Sequence, residues 1–270
     1  MAFQASEAGP STLTLPRILC LHGGGTNARI FRLQCRVLER VLQTTFRLCF
    51  AEAPFPSQPG PDVTSVYKDF GPFRAWLRWR PEDAERDTKS ALERIEESLS
   101  NAMVDDDRNG ATGEWVALLG FSQGAKMCAS LLYAQQLRSE NLERHEMRPI
   151  FRFAVLLAGR GPLVSLDSEC TKSPGLVDAS SMSIPGYPDE QGFSKTGHLL
   201  RIPTIHVHGM QDPGLQLHRK LLQQYCDRSF TRLIEWGGDH RVPIKTKDVN
   251  MVVEEMIAMA RASGCLESGG

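Results

Sequence analysis

The chain of 270 residues has no run of 18 apolar residues, so nothing in it reads as a membrane-spanning helix. It has no excess of charge either. Its 31 Lys and Arg stand against 32 Asp and Glu, which removes the electrostatic footprint of a general nucleic-acid binder. The opening MAFQASEAGPSTLTLP lacks the basic start and apolar centre of a secretory signal. There are seven cysteines but no CxxC pair, and Cys20, Cys49 and Cys128 lie inside apolar runs. That pattern predicts small buried thiols in a reducing, cytoplasmic setting rather than a disulfide framework. No internal repeat is found, and Gly and Pro are too sparse for a disordered or collagen-like chain. What remains is an ordinary globular composition, 41% hydrophobic and 23% charged, in a chain long enough to bury one large core.

Six short apolar runs read as buried strands, because each is four to eight residues long and most stop at Gly or Pro. They are Arg17–Leu21, Phe46–Ala51, Trp115–Leu119, Phe153–Leu157, Thr204–Val207 and Thr231–Glu235. Helical patterns fall between them. Thr88, Ala91, Leu92, Ile95, Leu99 and Met103 recur at three and four, and Gln123–Leu137, Leu215–Tyr225 and Asp248–Ala262 behave alike. Strands alternating with helices predict a mostly parallel sheet covered on both faces. Two stretches break the alternation, the proline-rich 54–72 and the long Ser/Gly/Pro-rich 159–202; both read as walls over a site. Asp105–Gly113, with three aspartates in a row, reads as a solvated connection. The expected layout is a flexible tail over 1–16 and one domain over 17–264, with 159–202 as a lid-like excursion.

Gly120-Phe121-Ser122-Gln123-Gly124 is a G-x-S-x-G that directly follows a strand and opens a helix. In that context the serine sits on a sharp turn with its hydroxyl exposed, and flanking glycines keep Cβ atoms out of its way. A serine nucleophile needs a base and an acid that orients the base. His240 follows the last strand and Asp212 the strand before it, where open parallel sheets place their sites. The chain order Ser122, Asp212, His240 is that of α/β-hydrolases. Asp239 is a rival acid, but a neighbour of His240 on one short loop is badly placed to reach the far ring nitrogen. Oxyanion donors are expected from the backbone N–H of Gln123 and, in the loop His22-Gly23-Gly24-Gly25, from that of Gly24.

Two other patterns compete. Gly23-Gly24-Gly25-Thr26-Asn27-Ala28 with Glu52 fits a dinucleotide fingerprint, but it leaves Ser122, Asp212 and His240 unused, and no Tyr is followed four residues later by Lys. His206 and His208 point the same way from one strand, yet no third metal ligand accompanies them, so they read as structural. Neither a metal nor an organic cofactor is expected. Phe31, Phe55 and Trp76 are candidate pocket walls, with ordinary core packing as the alternative.

The segments LCLHGGGTNARIF, GPFRAW, LLGFSQGAK, AGRGPL and GGDHRVP together resemble the fungal serine hydrolase family, over about Arg17 to Ala260. The resemblance implies an α/β-hydrolase with nucleophile Ser122, acid Asp212 and base His240. Its members are often encoded beside polyketide synthases. For some of them the activity is hydrolytic release of a polyketide from its carrier thioester, which makes a synthase carrier domain the expected partner. A carboxylesterase acting on a free small-molecule ester is the alternative; a nucleotide-binding reductase or a silent scaffold stands further off.

Overall fold

The computed structural model describes residues 12–61, 63–140, 149–167, 175–182 and 199–267. Six strands form one parallel sheet: β1 (Arg17–Leu21), β2 (Arg47–Ala51), β5 (Trp115–Phe121), β6 (Phe153–Leu157), β9 (Thr204–Gly209) and β10 (Thr231–Trp236). Their spatial order is β10-β9-β6-β5-β1-β2. The chain starts at β1, steps outward to β2, then crosses back to β5. The order therefore reverses between β1 and β5, the place where open α/β sheets bind ligands.

Side chains alternate across the sheet because successive residues of a strand point to opposite faces. Leu19 and Leu21 enter a core with Leu118, Met127, Cys128, Leu132 and Leu156, which packs under α4 (Thr88–Arg108), α5 (Gln123–Glu140) and α6 (Leu215–Tyr225). Ile18 and Cys20 enter the other, with Phe31, Leu38, Val155, Val207, Val252 and Met256, under α1 (Ala28–Gln34), α2 (Arg36–Leu42) and α7 (Thr246–Ala262). β5 is buried at all seven positions, which explains why it reads as an unbroken apolar run. Asn27 caps α1 and Asp87 caps α4, each side chain accepting a backbone N–H from three residues on.

The structure corrects several expectations. α1 and α2 were not anticipated, although Phe31, Cys35, Leu38 and Leu42 recur at helical spacing. The proline-rich stretch contains β3 (Phe55–Ser57), a short α3 (Thr64–Tyr67) and, just beyond it, β4 (Phe73–Ala75), which pairs antiparallel with β3. Residues 12–16 are not a loose tail: Leu13 O accepts from Thr112 N, and Pro16 O from Arg47 N. Asp105–Asp107 belong to the last turn of α4, and Asp106 is buried between Arg17 and Arg47. Within the expected lid, Leu163, Val164, Ala179 and Leu200 are core, and β7 (Val164–Ser165) pairs with β8 (Val177–Asp178). The rest of that call, 168–174 and 183–198, lies outside the described residues, as does 1–11 of the tail.

Candidate active site

The turn from β5 into α5 positions Ser122. Its φ is +53°, a left-handed conformation that a non-glycine residue adopts at a cost of about 1–3 kcal/mol. Close approach on both sides holds it there. A Cβ at Gly124 would run into the carbonyls of Leu21 and His22, and one at Gly120 into the Gly124 carbonyl. Ser122 N–H donates to Leu157 O at 2.8 Å, which ties the turn to β6.

The loops after β9 and β10 are stitched together by backbone. Met210 N donates to Trp236 O and Gln211 N to Gly238 O, both at 2.8 Å. Gly209 permits this, since a Cβ there would strike the Gly238 and Asp239 carbonyls. Residues 28 apart in sequence, Asp212 and His240, thereby meet. His240 Nδ1 lies 2.6 Å from Asp212 Oδ2, and its Nε2 lies 3.0 Å from Ser122 Oγ. The carboxylate fixes the tautomer: Nδ1–H donates to it, leaving Nε2 to accept the serine proton. Asp239 points elsewhere; it is half exposed and pairs with Arg241 at 3.3 Å.

The surroundings of Asp212 are richer than the sequence suggested. Oδ1 accepts Gly214 N–H at 2.7 Å, with Arg160 Nη2 at 3.9 Å, and His218 Nε2 stands 3.5 Å from Oδ2. Burial by itself would raise this carboxyl, but the hydrogen bond and charge of His240, the Gly214 N–H and His218 outweigh it and hold Asp212 down at about 2. Burial pushes His218 the other way, to about 3, with Arg160, His208 and His240 adding to it against the pull of Asp212. His206 is held at about 3, by burial and His208, and His208 at about 4, chiefly by burial. These three imidazoles are therefore neutral near pH 7. Neither His218 nor Arg160 was singled out in the sequence. The available signal for His218 was a histidine on the buried stripe His218, Leu221, Leu222, Tyr225 of α6.

Asp212, His218 and His240 offer ligand atoms within 4.8 Å of one another. A metal shared by all three would have to displace the Nδ1 proton and part atoms that now stand at hydrogen-bonding distance, so this set fits a proton relay better than a metal centre. His206 and His208 do not extend it: His206 Nε2 meets Thr204 Oγ1 at 3.1 Å instead.

Gln123 opens α5, so its backbone N–H has no intrahelical acceptor. A Cβ on Gly24 would stand 3.3 Å from the Gln123 carboxamide, so the glycine loop packs against the start of α5. The Gln123 side chain is itself clamped: Oε1 accepts from Trp76 N at 2.8 Å, and Nε2 donates to Leu77 O at 3.0 Å. Trp76 Nε1 donates to His22 O at 3.0 Å. Trp76 is thus a buried brace rather than an open wall. Phe31, stacked on Phe121, and Phe55, beneath the guanidinium of Arg86, are equally closed to solvent, so all three aromatics belong to the core. The dinucleotide alternative loses its space: Gly60 N donates to Gly25 O and Gly25 N to Arg74 O, so other backbone covers the glycine turn.

Among the described residues no helix is long and apolar enough to cross a membrane. In structure, the chain is similar to acyl-protein thioesterase 2 of Zea mays, with a TM-score of 0.52 at 15% identity, covering 93% of this chain and 96% of that one. That likeness speaks for an α/β-hydrolase fold. In sequence it is 62% identical to Esterase pigG of Monascus ruber over 261 residues, 95% of this chain and 96% of the relative. It is 58% identical to Esterase dbaE of Emericella nidulans, covering 98% and 97%, and 50% identical to Esterase citA of Monascus ruber, covering 96% and 97%. The family described as Serine hydrolase (FSH1) matches residues 12–252, nearly the whole chain. With a serine on a strained strand-to-helix turn, and relatives of this identity over this length, the chain belongs to the FSH1 serine hydrolase family.

Proposed function

We propose that this hydrolase cleaves an acyl thioester through Ser122, His240 and Asp212, and that its substrate is a polyketide held on the carrier domain of its synthase. The observation that carries the chemistry is the relay of 3.0 Å and 2.6 Å from Ser122 Oγ through His240 to Asp212. His240 Nε2 takes the hydroxyl proton as Oγ attacks the carbonyl carbon. The oxyanion that forms is held by the N–H groups of Gln123 and Gly24. Collapse breaks the carbon–sulfur bond, and the Nε2 proton passes to the departing thiolate. Water, deprotonated by His240, then cleaves the acyl-serine ester and returns the proton to Oγ. Asp212 stays ionised throughout, holding the tautomer and stabilising the imidazolium.

The thioester reading rests on the family resemblance and on chemistry. Sulfur donates little into the carbonyl and a thiolate leaves readily, so less leaving-group protonation is asked of His240. The names of the relatives favour a second reading, hydrolysis of a free small-molecule ester by the same residues. Matched acyl-pantetheine thioesters and alkyl esters of the same acids separate the two. We expect kcat/KM to favour the thioesters by about tenfold or more and to vary with acyl structure, each methylene in a pocket being worth about 1–3 kcal/mol. Equal or better turnover of the alkyl esters would move the assignment to the free ester.

A further inference from the structure

Away from the triad, a groove of about 720 Å³ runs along β2, lined by Arg29, Arg32, Arg36, Arg40 and Arg47 together with β2 residues Leu48 to Phe50. Among the described residues β2 is the last strand of the sheet and pairs with β1 alone, and its Leu48, Cys49 and Phe50 line this groove. Arg29, Arg32, Arg36 and Arg40 recur at three and four residues along α1 and α2 and are exposed. Two of the five arginines are neutralised locally, Arg32 by Glu39 at 3.0 Å and Arg47 by Asp106. Arg29 lies over the Phe70 ring at 4.8 Å, and Arg36 donates to Leu33 O at 3.0 Å. Among the described residues, no carboxylate pairs with Arg29, Arg36 or Arg40. A local surplus of three positive charges on a chain of net charge −1 is a built asymmetry rather than general basicity.

The place of the groove matters as much as its sign. Its lining includes Ala28 and Arg29, which follow in sequence the glycine loop that carries Gly24. Phe31 on the same helix stacks on Phe121, the residue before Ser122, with centroids 6.5 Å apart. A macromolecule seated in the groove therefore engages the helix whose buried face packs against the residue before Ser122. A carrier domain brings a phosphodiester on the arm that bears the thioester, and arginine is the side chain best suited to phosphate and carboxylate.

We propose that this arginine groove along β2 docks an acidic carrier domain and delivers its phosphodiester-linked thioester arm over the α1 end to Ser122. The inference rests on the thioester reading above and deepens it. Opposed arginine stripes disfavour a second copy as the occupant.

The test is charge reversal at two exposed positions outside the catalytic machinery, Arg36→Glu with Arg40→Glu, in the full chain. Two substrates carry the same acyl group: a polyketide-synthase carrier domain loaded through phosphopantetheine, and free pantetheine. For the reversed variant KM on the loaded carrier should rise about tenfold or more, while kcat/KM on the pantetheine thioester stays within about twofold. Arg36→Lys with Arg40→Lys, which keeps the charge, should stay near wild type on both. Wild-type turnover of the carrier substrate should also fall between about 50 and 300 mM salt, and that of the pantetheine thioester should not. Equal effects of the reversal on both substrates, or none on either, overturn the docking proposal and leave the thioester reading intact. A wild-type dimer that the reversal dissociates overturns it in favour of a second copy. If the wild type cleaves neither thioester, the thioester reading falls and this proposal with it.

Discussion

The two ends of the sheet each bury an aspartate, Asp106 at 6% and Asp212 at 5% exposure, and they use it in opposite ways. Asp106 lies in the last turn of α4, where the helix dipole disfavours a negative charge. Arg47 supplies two nitrogens to it, Nε at 3.0 Å and Nη2 at 2.6 Å, and Arg17 adds a third at 3.4 Å. Those partners never lose their charge, so the cluster is static: it ties the start of β1 and β2 to α4. Asp212 has instead a histidine as its nearest ionisable partner, and the closest guanidinium nitrogen stays 3.9 Å away. Its main partner can gain and lose a proton while the carboxylate remains ionised. A permanent ion pair makes a stable corner; a titratable one makes a reversible proton store.

That contrast predicts opposite mutant phenotypes. The largest effects belong to the proposed triad. Ser122→Ala and His240→Ala should lower kcat by about a thousandfold or more with the fold intact, measured by steady-state kinetics beside circular dichroism. Retention of a tenth of wild-type activity by Ser122→Ala would refute the nucleophile assignment. Asp212→Asn should cost about a hundredfold or more, because the amide favours the wrong histidine tautomer. Asp239→Asn should matter little; the reverse result would make Asp239 the acid.

At the other end, Asp106→Ala leaves Arg47 without its carboxylate and Arg17 with Asp107 alone. It should destabilise the chain by about 3–5 kcal/mol in urea unfolding, with turnover per folded molecule unchanged. A stable variant with impaired chemistry would erase the distinction between the two ends.

Acid sharpens the comparison further. His206, His208 and His218 have folded-state pKa values of about 3, 4 and 3, below an unfolded value near 6.5. Between those limits the unfolded chain binds more protons, so stability must rise with pH and fall on acidification. We expect Tm to be flat above about pH 7 and to drop progressively from about pH 6.5 toward 4. His206→Phe should shallow that slope. A Tm independent of pH across this window would mean that the histidines are not held neutral.

The smallest effect concerns His218, whose Nε2 faces the Asp212 oxygen that His240 also uses. Replacing this polar imidazole by Phe removes its electrostatic pull on Asp212 and should make the carboxylate a stronger partner for imidazolium. The pH profile of kcat/KM should then differ from that of the wild type, and His218→Gln should restore it. An unchanged profile in a folded Phe variant would reduce His218 to packing.

Much of this was legible in the chain. Strands buried on both faces must be apolar throughout, so the six runs announced a parallel sheet. Gly120 and Gly124 flagged the turn at Ser122, because only glycine tolerates backbone that close. The candidates for base and acid were visible because each follows a strand. Less visible was everything that depends on two distant segments meeting. The carboxamide of Gln123 is clamped by Trp76 and Leu77 from 47 and 46 residues away. Asp106 reads as one of three solvated aspartates until Arg47, 59 residues off, reaches it. Phe31, Phe55 and Trp76 are apolar in either role, so composition could not distinguish a wall from a core.

By itself, then, the sequence determined the fold class and the strand-to-helix turn at Ser122, and it offered Asp212 and His240 as candidates, because these follow from local periodicity, glycine geometry and position after a strand. Tertiary structure decided the environment of the candidate acid. Asp212 and Asp239 are both aspartates on loops after strands. What separates them is the stitching of two loops by Met210, Gln211 and Gly209, which buries Asp212 against His240 and leaves Asp239 in solvent with Arg241. A carboxylate's role is set by the donors and dielectric around it, and those are supplied by residues far away along the chain.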